Sequence, residues 1–278
     1  MTNTARDQAM HEWPLAVFTA LAIPAAGVCA ARPIVYSLGV TAPRPVMTAA
    51  AGALVAGLAV SLWHLGRPAR APLAVRRAGR NALSSEVFLA AVVLALSALE
   101  SAAHPAPPVR LALVSATGLA ALLLLAVVGL VYFLPARRPW RSALVASPLA
   151  LGLAAGVVAL ASAGVRAPLL VDLALALLAA DAIVAAFGWT SQPARASGFD
   201  PVHPAVFERR RTLIALRFVT VDVVPAVLLL AGHAAAAGIV LGAGVFVDRL
   251  TFYGTVCART TEAEIATIER VIAGSAPR

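Results

Sequence analysis

Eight long apolar runs, separated by short arginine-bearing joints, constrain this chain more than any other feature of it. A run of ~20 mostly apolar residues is long enough to cross the hydrocarbon core of a bilayer as a helix. Within hydrocarbon a helix also satisfies its backbone N–H and C=O groups internally, so such runs are expected to be helical. The spans read as about 13–31, 45–64, 84–103, 110–134, 142–165, 168–188, 212–231 and 234–257. The expected fold class is therefore all-α: a polytopic integral membrane protein of eight transmembrane helices, with 1–278 forming one membrane domain. The apolar fraction, 61%, exceeds the ~45–50% of soluble domains. Spans and short joints use almost the whole length, which excludes a separate soluble catalytic domain.

Proline marks the joints, since it lacks a backbone N–H and disfavours helix in the residue before it. Pro33, Pro43 and Pro45 punctuate the first joint, and Pro68 and Pro72 the second. Pro105, Pro107 and Pro108 punctuate the third, and Pro135 and Pro139 the fourth. Ser162, Gly164, Arg166 and Pro168 divide runs five and six, and Gly232 with His233 divides the last two. The polar leader before the first run (Arg6, Asp7, His11, Glu12) lacks the basic start and small-residue cleavage site of a secretory signal. The first run is accordingly expected to persist as a mature helix.

All 22 basic residues are arginine. One side of an eight-span chain receives Arg67, Arg70, Arg76, Arg77, Arg80, Arg137, Arg138, Arg141, Arg195, Arg209, Arg210 and Arg211. The other receives Arg32, Arg44, Arg110 and Arg166. Positive-inside bias then puts both termini in the cytoplasm. The net charge of +9 reads as this topology signal and as contact with the lipid bilayer, and no nucleic-acid partner is expected.

Three clusters carry candidate chemistry. The first, His64-Leu65-Gly66-Arg67-Pro68-Ala69-Arg70, closes span two; the second, Arg77 to Glu86, opens span three. One short joint separates them, so His64 and Glu86 emerge on one membrane face. Quinol oxidation releases protons as well as electrons, and a histidine beside a partly desolvated carboxylate suits that task. Each residue also has a plain alternative: a histidine at a helix C-terminus and a glutamate in a first turn both complement the helix dipole. The third cluster is Asp181, Arg217, Asp222, Asp248 and Arg249, all within apolar runs. Ionisable groups there cost ~2.5–3.5 kcal/mol each on insertion scales, so they pair or face a cavity. Adjacent Asp248 and Arg249 are expected to pair with other helices. Arg217 with Asp248, or Arg249 with Asp222 or Asp181, are the candidate structural pairs.

The five histidines (His11, His64, His104, His203, His233) sit in joints or at span ends, and Cys29 and Cys257 are isolated. A bis-histidine haem needs facing mid-span histidines, and an iron–sulfur cluster usually takes four thiolates. No haem, iron–sulfur cluster or metal is expected in this chain.

Taken in order, several motifs resemble one family. They are His11-Glu12-Trp13-Pro14-Leu15 with Phe18-Thr19; His64-Leu65-Gly66 with Pro68, Arg70 and Ala71; and Arg80-Asn81-Ala82-Leu83-Ser84 with Glu86. Arg217 and Asp248-Arg249-Leu250-Thr251-Phe252-Tyr253-Gly254 follow. Together they resemble the membrane anchor subunit of anaerobic dimethyl sulfoxide reductase. The resemblance implies a haem-free, eight-helix anchor that oxidises menaquinol. Its electrons would pass to a four-cluster ferredoxin-like iron–sulfur subunit and on to a molybdopterin catalytic subunit. It ties His64 and Glu86 to quinol binding, and the surrounding Gly66, Arg70, Arg80 and Ser84 complete the expected pocket. The joint arginines Arg67, Arg76 and Arg77 are candidates for docking the iron–sulfur partner. A second reading is a small-solute or ion transporter that uses the intramembrane Asp and Arg residues as its path. A transporter favours polar residues and broken helices near mid-membrane, whereas here the candidate site gathers at one face.

Overall fold

The computed structural model describes residues 13–64, 82–103, 105–130, 144, 146–165, 168–190 and 204–254, with the side chains of 62–64, 82–83, 204–208 and 254 set aside. Among the described residues the regular structure is helical throughout. The helices are α1 (Trp13–Ser37), α2 (Arg44–His64), α3 (Ala82–Ala103), α4 (Pro107–Leu130), α5 (Ser147–Ser162) and α6 (Pro168–Thr190). Then α7 runs in three parts: an α-helix (Pro204–Phe218), a π-helical turn (Val219–Val223) and a second α-helix (Val224–Leu230). The last helix, α8, is Ala234–Gly254. Seven of the eight are long and apolar enough to cross a membrane, and α5 is an apolar helix of 16 residues. The chain is a multi-pass membrane protein.

α1 lies at the centre of the bundle, in contact with α2, α4, α5 and α8. Its residues explain this position. Between Ala22 and Ala31 it offers Ala22, Ala25, Ala26, Gly27, Ala30 and Ala31, all buried. Lipid tails are as apolar as leucine, so helices in a membrane associate where small side chains let backbones approach. α5 answers with Gly152-Leu153-Ala154-Ala155-Gly156, a small-xxx-small pattern. A Cβ at Gly156 would collide with the backbone of Gly27, and one at Gly27 with the carbonyl of Gly152. The two helices cross backbone to backbone at that point.

α1 is longer than its sequence suggests. It continues through Pro24 and Pro33 to Ser37, so Pro33 does not end the first span. Proline is tolerated inside membrane helices where neighbours restore the packing. Here the Pro33 ring lies against α4 at Gly118, where an added Cβ would fall 2.5 Å from Pro33 Cγ. Among the described residues α7 begins earlier than the expected span, at Pro204, and α5 later, at Ser147. The α5–α6 joint turns at Gly164 (φ 91°) and the α7–α8 joint at Gly232 (φ 79°). Both dihedrals fall in the left-handed region that glycine enters without strain.

Candidate functional site

The end of the bundle where α1 begins is also where α2 ends at His64 and α3 starts at Ala82. α2 buries Ala50, Leu54 and Gly57 toward α1, where Gly57 rests against Phe18. α3 turns Ala90 and Val93 inward, both almost fully buried. Glu86 stands four residues before Ala90, on the same stripe, and is 1% exposed. Among the described residues its Oε1 has no hydrogen-bond partner. A glutamate serving only the α3 N-terminus would sit in the solvated first turn; Glu86 instead extends an apolar, inward-facing stripe. Ser84, two residues earlier in α3, is also buried. Gly66, Arg67, Arg70, Arg76, Arg77 and Arg80 lie outside the described residues.

The intramembrane charges gather in the same half of the bundle. Arg217 is fully buried and binds three carboxylates at once. Its Nη1 donates to Asp222 Oδ2 at 2.6 Å, its Nε to Asp248 Oδ1 at 3.1 Å, and its Nη2 to Asp181 Oδ2. Asp181 also accepts from Ser147 Oγ at 2.7 Å. Arg249 donates to its own neighbour, with Nε 2.7 Å from Asp248 Oδ2. The expected Arg217–Asp248 pair is present. The expected pairing of Arg249 with Asp222 or Asp181 is corrected: those two carboxylates go to Arg217. The guanidinium of Arg249 folds back along α8 to reach the oxygen of Asp248 that Arg217 leaves open.

The backbone of α7 makes this arrangement. Residues five apart in a regular α-helix point about 140° away from each other. Arg217 and Asp222 are five apart and nonetheless meet, because the π turn at Val219–Val223 widens the helix by one residue per turn. Gly244 then lets α8 lie against that turn; a Cβ there would stand 2.7 Å from the Thr220 carbonyl oxygen. One turn further on, Asp248 reaches Arg217.

An apolar layer covers the cluster toward the His64 end. Ala16, Leu144, Ala185, Trp189, Phe252 and Tyr253 pack together there, with Leu15, Ile214 and Phe218 against them. Arg217 and Arg249 each stack over an aromatic face, Phe218 and Phe252, at 5.0 Å from the ring centre. Sequence reasoning missed Ser147 as a partner of Asp181, since a serine at a helix start reads as a cap. It also missed Glu100, near the C-terminal end of α3, which binds Arg32 at 2.7 Å and Arg110 at 3.3 Å. Its signal was available: an acidic residue within an apolar run needs a cation.

The class is thus defined by the fold: a multi-pass helical membrane protein with a buried carboxylate at one face, one of whose oxygens has no partner among the described residues, and a buried ionic network beside it. A comparison finds a family likeness over part of the chain. Residues 7–103 match the family model of the DMSO reductase anchor subunit (DmsC). This stretch contains the motifs from His11 to Glu86, so the resemblance read from them is shown over the first three helices. No curated protein and no solved structure matches the chain.

Proposed function

We propose that this chain is the membrane anchor of a molybdoenzyme complex of the dimethyl sulfoxide reductase kind and the subunit that oxidises menaquinol. The observation that carries the proposal is Glu86. It is a buried carboxylate on an apolar stripe with a free acceptor oxygen, at the bundle end where α2 delivers His64. A quinol hydroxyl brought to this face meets an acceptor for its hydrogen bond and then for its proton. His64 is the second acceptor, because a histidine gains and loses a proton near neutrality. Ser84, with Gly66, Arg70 and Arg80 of the intervening joint, belongs to the same pocket.

The electrons leave the chain. It is a haem-free subunit without an iron–sulfur cluster or metal, so a partner's cofactor receives them. That partner is a four-cluster ferredoxin-like subunit that docks on the joint bearing Arg67, Arg76 and Arg77. It feeds a molybdopterin catalytic subunit. The charges around Arg217 support this reading over transport, since each carboxylate is held by a guanidinium under an apolar layer. Such a network fixes α6, α7 and α8 to one another.

The test uses the assembled complex in membranes. His64→Ala and Glu86→Gln each abolish menaquinol-dependent turnover, while an artificial dye that donates directly to the catalytic subunits still supports reduction. Normal quinol turnover in both variants would remove this face from the mechanism.

A further inference from the structure

The bundle end opposite the His64 face contains a cavity of about 760 Å³ between α2 and α3. Its mouth is ionic. Arg32, Arg44 and Arg110 line it, with Glu100 as the one acidic residue of the lining. Glu100 Oε1 is shared between Arg32 and Arg110, and both Arg44 and Arg110 retain open exposure. Three guanidiniums therefore face one carboxylate, leaving two positive charges without a counter-charge in the lining. Arg32, Arg44 and Arg110 are three of the four arginines that topology assigns to this side. They converge on one cavity rather than spreading along the membrane edge.

One turn in from the mouth Thr48 and Ser97 add hydroxyls, and the rest of the deeper lining is apolar. Met47, Ala51 and Val55 continue down α2, and Leu94 down α3. From Arg44 to Val55 the wall runs about 16 Å along the helix axis, at 1.5 Å per residue. α2 and α3 touch only sparingly, and the cavity lies between them. Ligand pockets typically measure ~300–1,000 Å³, and this one is cationic at headgroup level and apolar toward the middle of the membrane.

We propose that this cavity binds an anionic phospholipid, its phosphate held by Arg44 and Arg110 and an acyl chain laid along Met47, Ala51, Val55 and Leu94. Basic pockets between membrane helices hold anionic headgroups in this way. Arg32 is buried and already bonded to Glu100, so it positions Glu100 and supplies field rather than direct contact. A free anion would use the mouth and leave the apolar wall idle. A neutral quinone would use the wall and leave two cations uncompensated.

The experiment uses the full-length chain, purified in mild detergent and examined by native mass spectrometry with lipid extraction. The parent protein is expected to retain about one anionic phospholipid per chain. Arg44→Gln with Arg110→Gln should weaken retention roughly thirtyfold, from two lost guanidinium contacts at ~1 kcal/mol each. The double variant should elute from size exclusion as the parent does. Added back in nanodiscs, phosphatidylglycerol should rebind to the parent and phosphatidylcholine should not, and excess inorganic phosphate should fail to displace the lipid. Equal retention by parent and variant overturns the site. So does equal rebinding of the zwitterionic lipid. Displacement by phosphate alone would reduce it to an anion site, and recovery of a quinone lost in the double variant would reassign it.

Discussion

Removing the Arg217 guanidinium should destabilise the protein even though it deletes a charge from the membrane. Arg217 is completely buried, and its three partners come from α6, from within the π turn of α7 and from α8. In Arg217→Leu, a cation costing ~2.5–3.5 kcal/mol on insertion scales is gone. What remains is Asp181, Asp222 and Asp248 against Arg249 alone, two negative charges uncompensated. Breaking a buried pair costs about 3–5 kcal/mol, because the orphaned charge stays buried. Here two carboxylates are orphaned, so the loss exceeds the gain. The net should be on the order of 3 kcal/mol, near 10 °C in melting temperature. The decisive variant is Arg217→Leu combined with Asp181→Asn and Asp222→Asn. That combination is charge-balanced, with Asp248 and Arg249 left as a pair, and it should recover most of the lost stability. Thermal unfolding of the detergent-solubilised protein, followed by tryptophan fluorescence, measures both. A parent-like melt for Arg217→Leu, or no recovery in the triple variant, would refute the charge-balance reasoning.

Three further outcomes follow from the packing. Gly156→Leu, at the backbone crossing of α1 and α5, should cost at least ~1–3 kcal/mol and be seen as loss of monodisperse protein on size exclusion, whereas exposed Gly242→Leu should be tolerated. Gly244→Val should push α8 from the π turn and part Asp248 from Arg217, lowering the melting temperature more than Gly238→Val on the same helix. Deleting Val219 should turn the π turn into a regular α-turn, which keeps Arg217 and Asp222 as i,i+4 neighbours but rotates the two halves of α7 by about 100° relative to each other and so parts Arg217 from Asp181 and Asp248. In that deletion, substituting Asp181 with Asn should then cost less than it does in the parent.

The helices were legible because their signal is length and apolarity, which any membrane span must show. Their arrangement was less so. Leucine-rich helices are apolar on every side, so hydropathy does not say which face is inward; only the small residues of α1 and the Gly152/Gly156 pair of α5 encode that contact. The continuation of α1 past Pro33 was illegible because it depends on Gly118 of another helix. The five intramembrane charges stood out as costly, but their partners did not. Arg217 reaches Asp222 only through a π turn, which a 3.6-residue period cannot reveal. Glu86 was legible as a candidate from its sharing a membrane face with His64 and from the family resemblance of the motif around it. Its burial came from the register of α3 against the bundle, which no local pattern reports.

The account turns on whether quinol binds where α2 ends and α3 begins. A photoactivatable menaquinone analogue, crosslinked to the assembled complex in membranes and mapped by peptide mass spectrometry, tests this directly. Labelling should fall on the segment from His64 through Glu86 and should be outcompeted by unmodified menaquinone. Competable labelling confined to α7 and α8, around Arg217, or to the arginine-lined cavity between α2 and α3 at the opposite face, would contradict it.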